Sequence, residues 1–420
     1  MGSAFDVVIA GGGPGGSICS AQLAKRGVSV LVLEKAHHPR FHLGESLLPQ
    51  SMPVLKQVGV FDEVASRFIV KRGANFHESG TLKQSRYDFA EAFDRSTTFA
   101  FEVPRDEFDE ILARHAQTCG ADVREGWTVT KFNLDEATNG GFAYVEATDP
   151  SGKSHTFETK LAIDATGRDS LIAHATRSTE KVPELDKTAI FSHWNDAWRD
   201  EGDRAGDIQI VVFGQAEETG WFWSIPFKDG RTSIGAVVAS GWIKKRKVPG
   251  APIQNLYDQA IAESPAMQRI VSGAKQSMPA AAAADFSFRV RDLAGPGWLV
   301  IGDAGGFIDP LFSTGAHLAM YGGFHAANTI ADALSRGALK QGDFVAWAAL
   351  VRKGAELFLG SVQAFYRGSL TPYLFADDQH PFLRRAITSM LAGDVFTGDE
   401  RWAREMRARF PATTTLDASA

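Results

Sequence analysis

The chain is 420 residues long, carries a formal net charge of −6, and is 44% hydrophobic and 22% charged. Such a composition excludes a disordered or fibrous protein, and the length exceeds one ordinary hydrophobic core, so two intertwined domains are expected. The acidic balance gives no reason to expect nucleic acid or an anionic membrane surface as a partner. With only Cys19 and Cys119 there is no disulfide framework; a reducing, cytoplasmic setting is expected, with both thiols as small buried side chains.

In chain order, residues 5–10 read as a short buried strand. The stretch lacks a basic leader and a small-residue cleavage site, so it is not read as a signal peptide. A glycine loop follows, then a helix from about 15 to 25, then a strand over 28–33 that ends at Glu34. This β-α-β order predicts a parallel sheet. His37, His38 and His42 share one loop, but their spacing matches no common ligand pattern, and no metal site is expected. A helix over 106–117 precedes a strand-rich stretch that ends at Ile163-Asp164. From about 181 to 288 strands alternate with Gly and Asp turns, with Lys228-Asp229-Gly230 as a hairpin turn, and an antiparallel sheet is expected. Residues 298–301 form another buried strand that runs into Gly302-Asp303-Ala304. The apolar stretch 316–334 falls short of a membrane span, which needs about 18 uninterrupted apolar residues; His317, His325 and Asp332 interrupt it, and it reads as a buried helix. Beyond Gly337 the chain is helical and rich in aromatics, closing with a polar tail over 412–420. There are no repeats or long linkers, so the domains interleave.

The glycine loop supplies G-x-G-x-x-G at Gly11, Gly13 and Gly16, with Pro14 and Gly15 between. It follows a strand and opens a helix, the context in which the pattern binds a pyrophosphate: a tight turn, close backbone approach, and helix N–H groups facing the anion. Glu34 stands about 20 residues on, where a carboxylate accepts from ribose hydroxyls and disfavours a 2′-phosphate. Farther along, Trp221-Phe222-Trp223-Ser224-Ile225-Pro226 places two indoles on one face of a strand. There they either fill the core or wall off a passage.

Val103-Pro104-Arg105 with Phe108-Asp109, then Asp164-Ala165-Thr166-Gly167, then Gly302-Asp303-Ala304 resemble, in this order, the motifs of glutathione-reductase-like FAD proteins. The Trp-x-Trp-x-Ile-Pro string resembles the signature of the flavin-dependent halogenases, and residues 302–319 resemble the segment with which that family wraps the flavin ring. The resemblance implies an α/β protein: a glutathione-reductase-like, Rossmann-type FAD domain (1–75, 100–175 and 285–335) interleaved with an antiparallel-sheet substrate domain (76–99 and 176–284), plus a helical C-terminal region (336–420). It implies FAD contacts from Gly11, Gly13, Pro14, Gly15, Gly16, Glu34, Lys35, Arg40, Glu45, Ser46, Arg105, Asp164, Gly302, Asp303 and Pro310. Glu45 and Ser46 come from a Gly44-Glu45-Ser46 string that follows Arg40-Phe41 and recurs in the family beside the isoalloxazine ring. Halide is expected at Ser313, Thr314 and Gly315, where a glycine turn leads into a helix N-terminus.

Lys71 matches the lysine with which the family handles hypohalous acid. A Lys-Arg pair is otherwise a solvated surface feature, but a lysine desolvated between apolar walls loses much of its basicity. The implied chemistry uses FADH2 from a separate flavin reductase and O2 to form a flavin C4a-hydroperoxide, which oxidises chloride or bromide to the hypohalous acid. That acid crosses to an electron-rich ring at Lys71, while Trp221 and Trp223 keep the ring from the flavin. Tryptophan halogenases carry extra length and a glutamate just before the Ser-Thr pair, where this chain has Phe312. The substrate therefore leans to a phenol or pyrrole, free or carried on an acyl or peptidyl carrier protein, as in secondary-metabolite biosynthesis. Three rivals share the flavin motifs: an aromatic hydroxylase that reduces its own flavin with NAD(P)H, a geranylgeranyl-reductase-like enzyme, and a flavoprotein that has lost activity and serves as a binding partner. No nucleic acid and no integral membrane contact are expected.

Overall fold

The computed structural model describes residues 4–138, 141–182, 184–284, 287–337, 339–396 and 400–413. The expected polar tail lies outside them from residue 414 onward. The first strand, Ala4–Ala10, runs parallel to Val30–Glu34 on one side and to Ser154–Asp164 on the other. Trp298–Val300 and Asp122–Glu125 extend that parallel array at its two ends. All five residues of Val30–Glu34 are buried, as a parallel strand covered on both faces requires. Between the first two strands the helix Pro14–Lys25 packs on the long helix Thr314–Ser335. A Cβ at Gly323 would stand 2.5 Å from the Gly15 carbonyl oxygen, so the glycine permits the contact.

The second sheet runs Lys275–Gln276, Lys187–Asn195, Arg231–Ala239, Gly220–Pro226, Ile208–Phe213, Gly73–Glu78, Gln84–Asp88. The hairpin turn at 228–230 is present: Gly230 has φ 96° and Phe227 N–H donates to Arg231 O at 2.8 Å. The sheet is mixed rather than wholly antiparallel, because Ile208–Phe213 pairs in parallel with Gly73–Glu78. That strand arrives from the first third of the chain, so no hairpin dictates its direction.

Alternation along Gly220–Pro226 sorts its side chains between two cores. Trp221, Trp223 and Ile225 face the larger one, shared with the C-terminal helices, while Phe222 faces a second one under the helices Ser240–Arg246, Ile253–Ala262 and Pro265–Ile270. Those three helices fall where the sequence reads as strands and turns. The outer sheet face needs a cover, and Leu256, Tyr257 and Ala260 supply a short apolar stripe for it. The C-terminal region is helical, with Val345–Tyr366, Thr371–Leu374, Pro381–Leu391 and Glu400–Arg409. Among the described residues no helix is long and apolar enough to cross a membrane.

Candidate active site

The glycine loop is shaped first by the chain itself. A Cβ at Gly11 would lie 2.2 Å from the Ala165 carbonyl oxygen, and one at Gly16 would lie 2.0 Å from that of Gly11. Gly13 differs: a Cβ there meets only the Arg40 guanidinium, at 3.6 Å, so its backbone borders open space. Helix Pro14–Lys25 has no side-chain cap, which leaves its first N–H groups available to an anion. Glu34 accepts from Gly12 N–H at 2.6 Å and from Ala36 N–H at 2.9 Å, fixing the carboxylate beside the loop. Asp303 is half-buried, and its backbone carbonyl accepts from Gly306 N–H while its carboxyl takes no hydrogen bond among the described residues; burial pushes that carboxyl up to about 6, against the pull of Arg105 and Arg168. A glycine cradle, an uncapped helix, a ribose-side acid and an unsatisfied carboxyl together fit FAD.

Other expected contacts are committed to the chain. Asp164 accepts from Thr166 N–H and Oγ1 with one oxygen and from Ile172 N–H with the other. Arg105 forks onto Asp109 at 2.7 and 2.9 Å and donates to Leu43 O at 2.6 Å, so it pins the loop that carries Glu45 and Ser46. Arg40 reaches Asp109 at 3.3 Å and Glu34 at 3.7 Å, tying that loop to the glycine end. Lys35 is exposed and pairs with Asp169. Of the three histidines, His38 bonds Glu125 at 2.9 Å and His42 bonds Leu43 O at 2.6 Å, while His37 is exposed. A cavity of about 340 Å³ opens beside Glu45 and Arg105, lined also by Phe41, His193 and Arg231.

Lys71 is only 2% exposed. Its Nζ donates to Ser46 Oγ at 2.8 Å and to Leu47 O at 3.1 Å, and it lies 5.4 Å from the centroid of the Phe89 ring. Burial lowers its pKa, opposed by Glu102 and Asp207. Sequence reasoning missed Glu102. It is fully buried, neither oxygen has a partner in full hydrogen-bond geometry among the described residues, and burial pushes it up to about 8 against the pull of Lys71 and Ser46. The available signal was an acid within the short apolar strand just ahead of Val103-Pro104-Arg105.

Trp221 and Trp223 do share one face, with ring centroids 5.9 Å apart. Their indoles are also tied: Trp221 Nε1 donates to Tyr366 Oη at 2.9 Å and Trp223 Nε1 to Ser233 Oγ at 3.1 Å. Trp223 lies over Gly235, where a Cβ would be 2.2 Å from the ring. Tyr366 in turn donates to Asp309 Oδ2 at 3.0 Å, and Leu311 N–H donates to Oδ1, so the tryptophan strand is tied to the loop at Pro310. That connection, too, was missed. The loop ends at Ser313, φ 57°, which opens helix Thr314–Ser335 without a side-chain cap. Gly315 faces Phe307 and Asp303: a Cβ there would lie 3.3 Å and 3.7 Å from them. Phe312 is buried in the tryptophan-side core.

A parallel sheet with a glycine cradle at the start of its first helix defines a Rossmann-type dinucleotide-binding protein. The tryptophan halogenase family model matches residues 6–93 and 79–371, and the chain belongs to the flavin-dependent halogenases. It is 31% identical over 374 residues to a tryptophan 2-halogenase of Chondromyces crocatus, covering 84% of this chain and 68% of that one. It is 30% identical over 397 residues to a 1H-pyrrole-2-carbonyl-(peptidyl-carrier protein) brominase of Pseudoalteromonas luteoviolacea, covering 93% and 92%. The solved structure of a flavin-dependent brominase superposes with a TM-score of 0.84 at 26% identity, covering 97% of this chain and 98% of that one. FAD and a halide are the cofactor and co-substrate that this family implies.

Proposed function

We propose that the protein is the halogenating component of a two-component system, fed with FADH2 by a separate flavin reductase, that uses O2 and chloride or bromide to halogenate a phenol or pyrrole. The pyrrole reading is supported by a relative of nearly matching length that acts on a carrier-bound pyrrole; delivery on a peptidyl carrier protein goes with it. Gly11, Gly13, Pro14, Gly15 and Gly16 would hold the pyrophosphate and Glu34 the ribose. Arg40, Glu45, Ser46, Arg105, Asp164, Gly302, Asp303 and Pro310 would shape the remainder, with Lys35 at its rim. Bound reduced flavin supplies the activation of O2 that oxidises halide. The N–H groups from Ser313 to Gly315 would hold the halide.

The observation that carries the reading is the burial of Lys71. Two of its donor directions are spent on Ser46 and Leu47, which leaves one free for hypohalous acid, while the apolar surround and its lowered pKa keep the neutral amine accessible. Trp221 and Trp223, fixed by their hydrogen bonds, would hold the ring away from the flavin.

The test supplies FADH2 from an added reductase, O2, and free or carrier-tethered phenols and pyrroles, with each halide present or absent, read by mass spectrometry. A halide-dependent product with the halogen isotope pattern, lost in Lys71→Ala while FAD still binds, is the expected result. Oxygen insertion independent of halide, or full halogenation by Lys71→Ala, would overturn it.

A further inference from the structure

Three segments meet at Lys71. Strand Ala100–Glu102 pairs antiparallel with Ile69–Lys71, Ile69 opposite Glu102 and Lys71 opposite Ala100. Lys71 and Glu102 therefore project from the same face as diagonal neighbours. On its other edge the strand faces residues 45–47: Val103 N–H donates to Glu45 O at 2.7 Å and Leu47 N–H to Phe101 O at 3.0 Å. Those bonds flank an antiparallel pair, Ser46 opposite Glu102, of the closely spaced kind in which side chains approach most nearly. The Ser46 hydroxyl, which accepts from Lys71, thus stands beside the Glu102 carboxyl. A carboxyl kept for structure is paired or hydrogen-bonded when fully buried; here, among the described residues, neither oxygen has a partner in full hydrogen-bond geometry, and the Ser46 hydroxyl is the side chain that draws its pKa down at close range.

We propose that Glu102 is a positioning residue for Lys71, coupled to it through the Ser46 hydroxyl, and sets whether Lys71 meets its guest as ammonium or as amine. The proposal rests on the reading of Lys71 given above. The proton balance is simple. Lys71 Nζ gives a proton to Ser46 Oγ, which passes its own to a Glu102 oxygen, leaving a neutral amine and a neutral carboxyl where an ammonium and a carboxylate stood. The charged groups facing the pair are few. Asp207 acts on both, but it is held by Arg86 at 2.9 Å and by Arg72 N–H at 2.8 Å. Glu45 acts on Glu102 and lies 3.3 Å from His193. Among the described residues Glu102 enters no ion pair, whereas Asp207 and Glu45 each have a side-chain partner.

The experiment titrates Lys71 in the full-length protein by NMR of ε-13C-lysine, assigned with Lys71→Arg, in wild type and Glu102→Gln. Loss of the negative neighbour leaves burial opposed by Asp207 alone, so the Lys71 midpoint is expected to fall by ~1 unit or more. Glu102→Asp, which restores the charge, should move it back. The pH profile of halogenation should follow: its Lys71-dependent limb moves toward acid in Glu102→Gln, whether the ammonium or the amine is the active form. Glu102→Met, apolar and of similar volume, serves as a second uncharged variant should the glutamine variant fail to fold. An unchanged midpoint and limb in the uncharged variants would overturn the proposal even if Lys71→Ala is inactive. Full halogenation by Lys71→Ala would instead remove the reading of Lys71, while the NMR midpoint would still decide whether Glu102 governs its charge.

Discussion

Among the described residues two buried lysines, Lys71 and Lys187, stand beside aromatic rings of the core that holds the tryptophans, and a reactive guest is proposed above for the first alone. Lys71 is held by a hydroxyl and a carbonyl and sits beside the Glu45-Ser46 loop that Arg105 pins. Lys187, 8% exposed, instead lies with its Nζ 4.0 Å from the centroid of the Tyr366 ring, above the Trp221–Tyr366–Asp309 chain. Burial lowers both pKa values, and both are drawn back up by a carboxyl. The difference lies in what shares the environment. Among the described residues Glu102 has no partner in full hydrogen-bond geometry, whereas Asp309 accepts from Tyr366 and from Leu311. A desolvated lysine alone therefore does not single out a site; the unsatisfied acid and the Glu45-Ser46 loop are what set Lys71 apart from Lys187.

The largest expected effect separates the two. Lys71→Ala should lose about 100-fold or more of halogenation with FAD binding retained, the scale on which a positioned proton donor or acceptor acts. Lys187→Ala forfeits a ring contact of about 1 kcal/mol and should retain most of its turnover. Equal losses in the two variants would erase the distinction. Next come the two tryptophans. Gly235→Ala would thrust a Cβ into the Trp223 indole, and overpacking of that kind costs ~1–3 kcal/mol, to be read as a lowered denaturation midpoint. Tyr366→Phe leaves Trp221 Nε1 and Asp309 Oδ2 without their partner, at about 1–3 kcal/mol. Denaturation of that variant should show a loss of stability, and a halogenation assay should show more loss than for Lys187→Ala, because the hydroxyl, not the lysine, ties Trp221 to the loop at Pro310.

The glycine end of the molecule was legible in the sequence because its logic is local. Strand, Gly11–Gly16 turn, helix and Glu34 are consecutive, and Gly16 and Glu34 answer to Gly11 and Gly12 within that run, although Gly11 itself is also held close by Ala165. The Lys71 pocket is assembled from residues 45–47, 69–71 and 100–102, three segments whose adjacency depends on strand pairing that composition does not encode. Lys71 could be singled out only through a family motif. Glu102, which belongs to no quoted motif, could not be. The same limit hid the Trp221–Tyr366–Asp309 chain, whose members lie up to 145 residues apart. It also hid the three helices between 240 and 270, whose short apolar stripes make sense only once a sheet face needs covering.

The last comparison, read as a slope against pH, tests whether Asp309 stays protonated where Lys187 cannot neutralise it. Burial pushes its carboxyl up to about 7 from the ordinary value of 3.8, against its hydrogen bonds from Leu311 and Tyr366 and the attraction of Lys187. A carboxyl whose folded pKa is raised holds its proton longer in the folded state than in the unfolded one. Its contribution to stability is therefore complete below about 3.8 and is lost as pH rises through about 7. In FAD-free protein, unfolding free energy should fall across that window by no more than about 1.4 kcal/mol per pH unit from this one group. Asp309→Asn keeps an acceptor for Leu311 N–H and cannot titrate, so its profile should be flatter between pH 4 and 7 by that single group's share. A residual slope of the same sign should survive, because Asp303, pushed up to about 6, and Glu102, pushed up to about 8, pull in the same direction. A profile in Asp309→Asn that superposes on the wild type would mean that Asp309 is already ionised at neutral pH. It would then share its charge with Lys187 across the Tyr366 ring, and the two lysine sites would be more alike than their hydrogen bonds suggest.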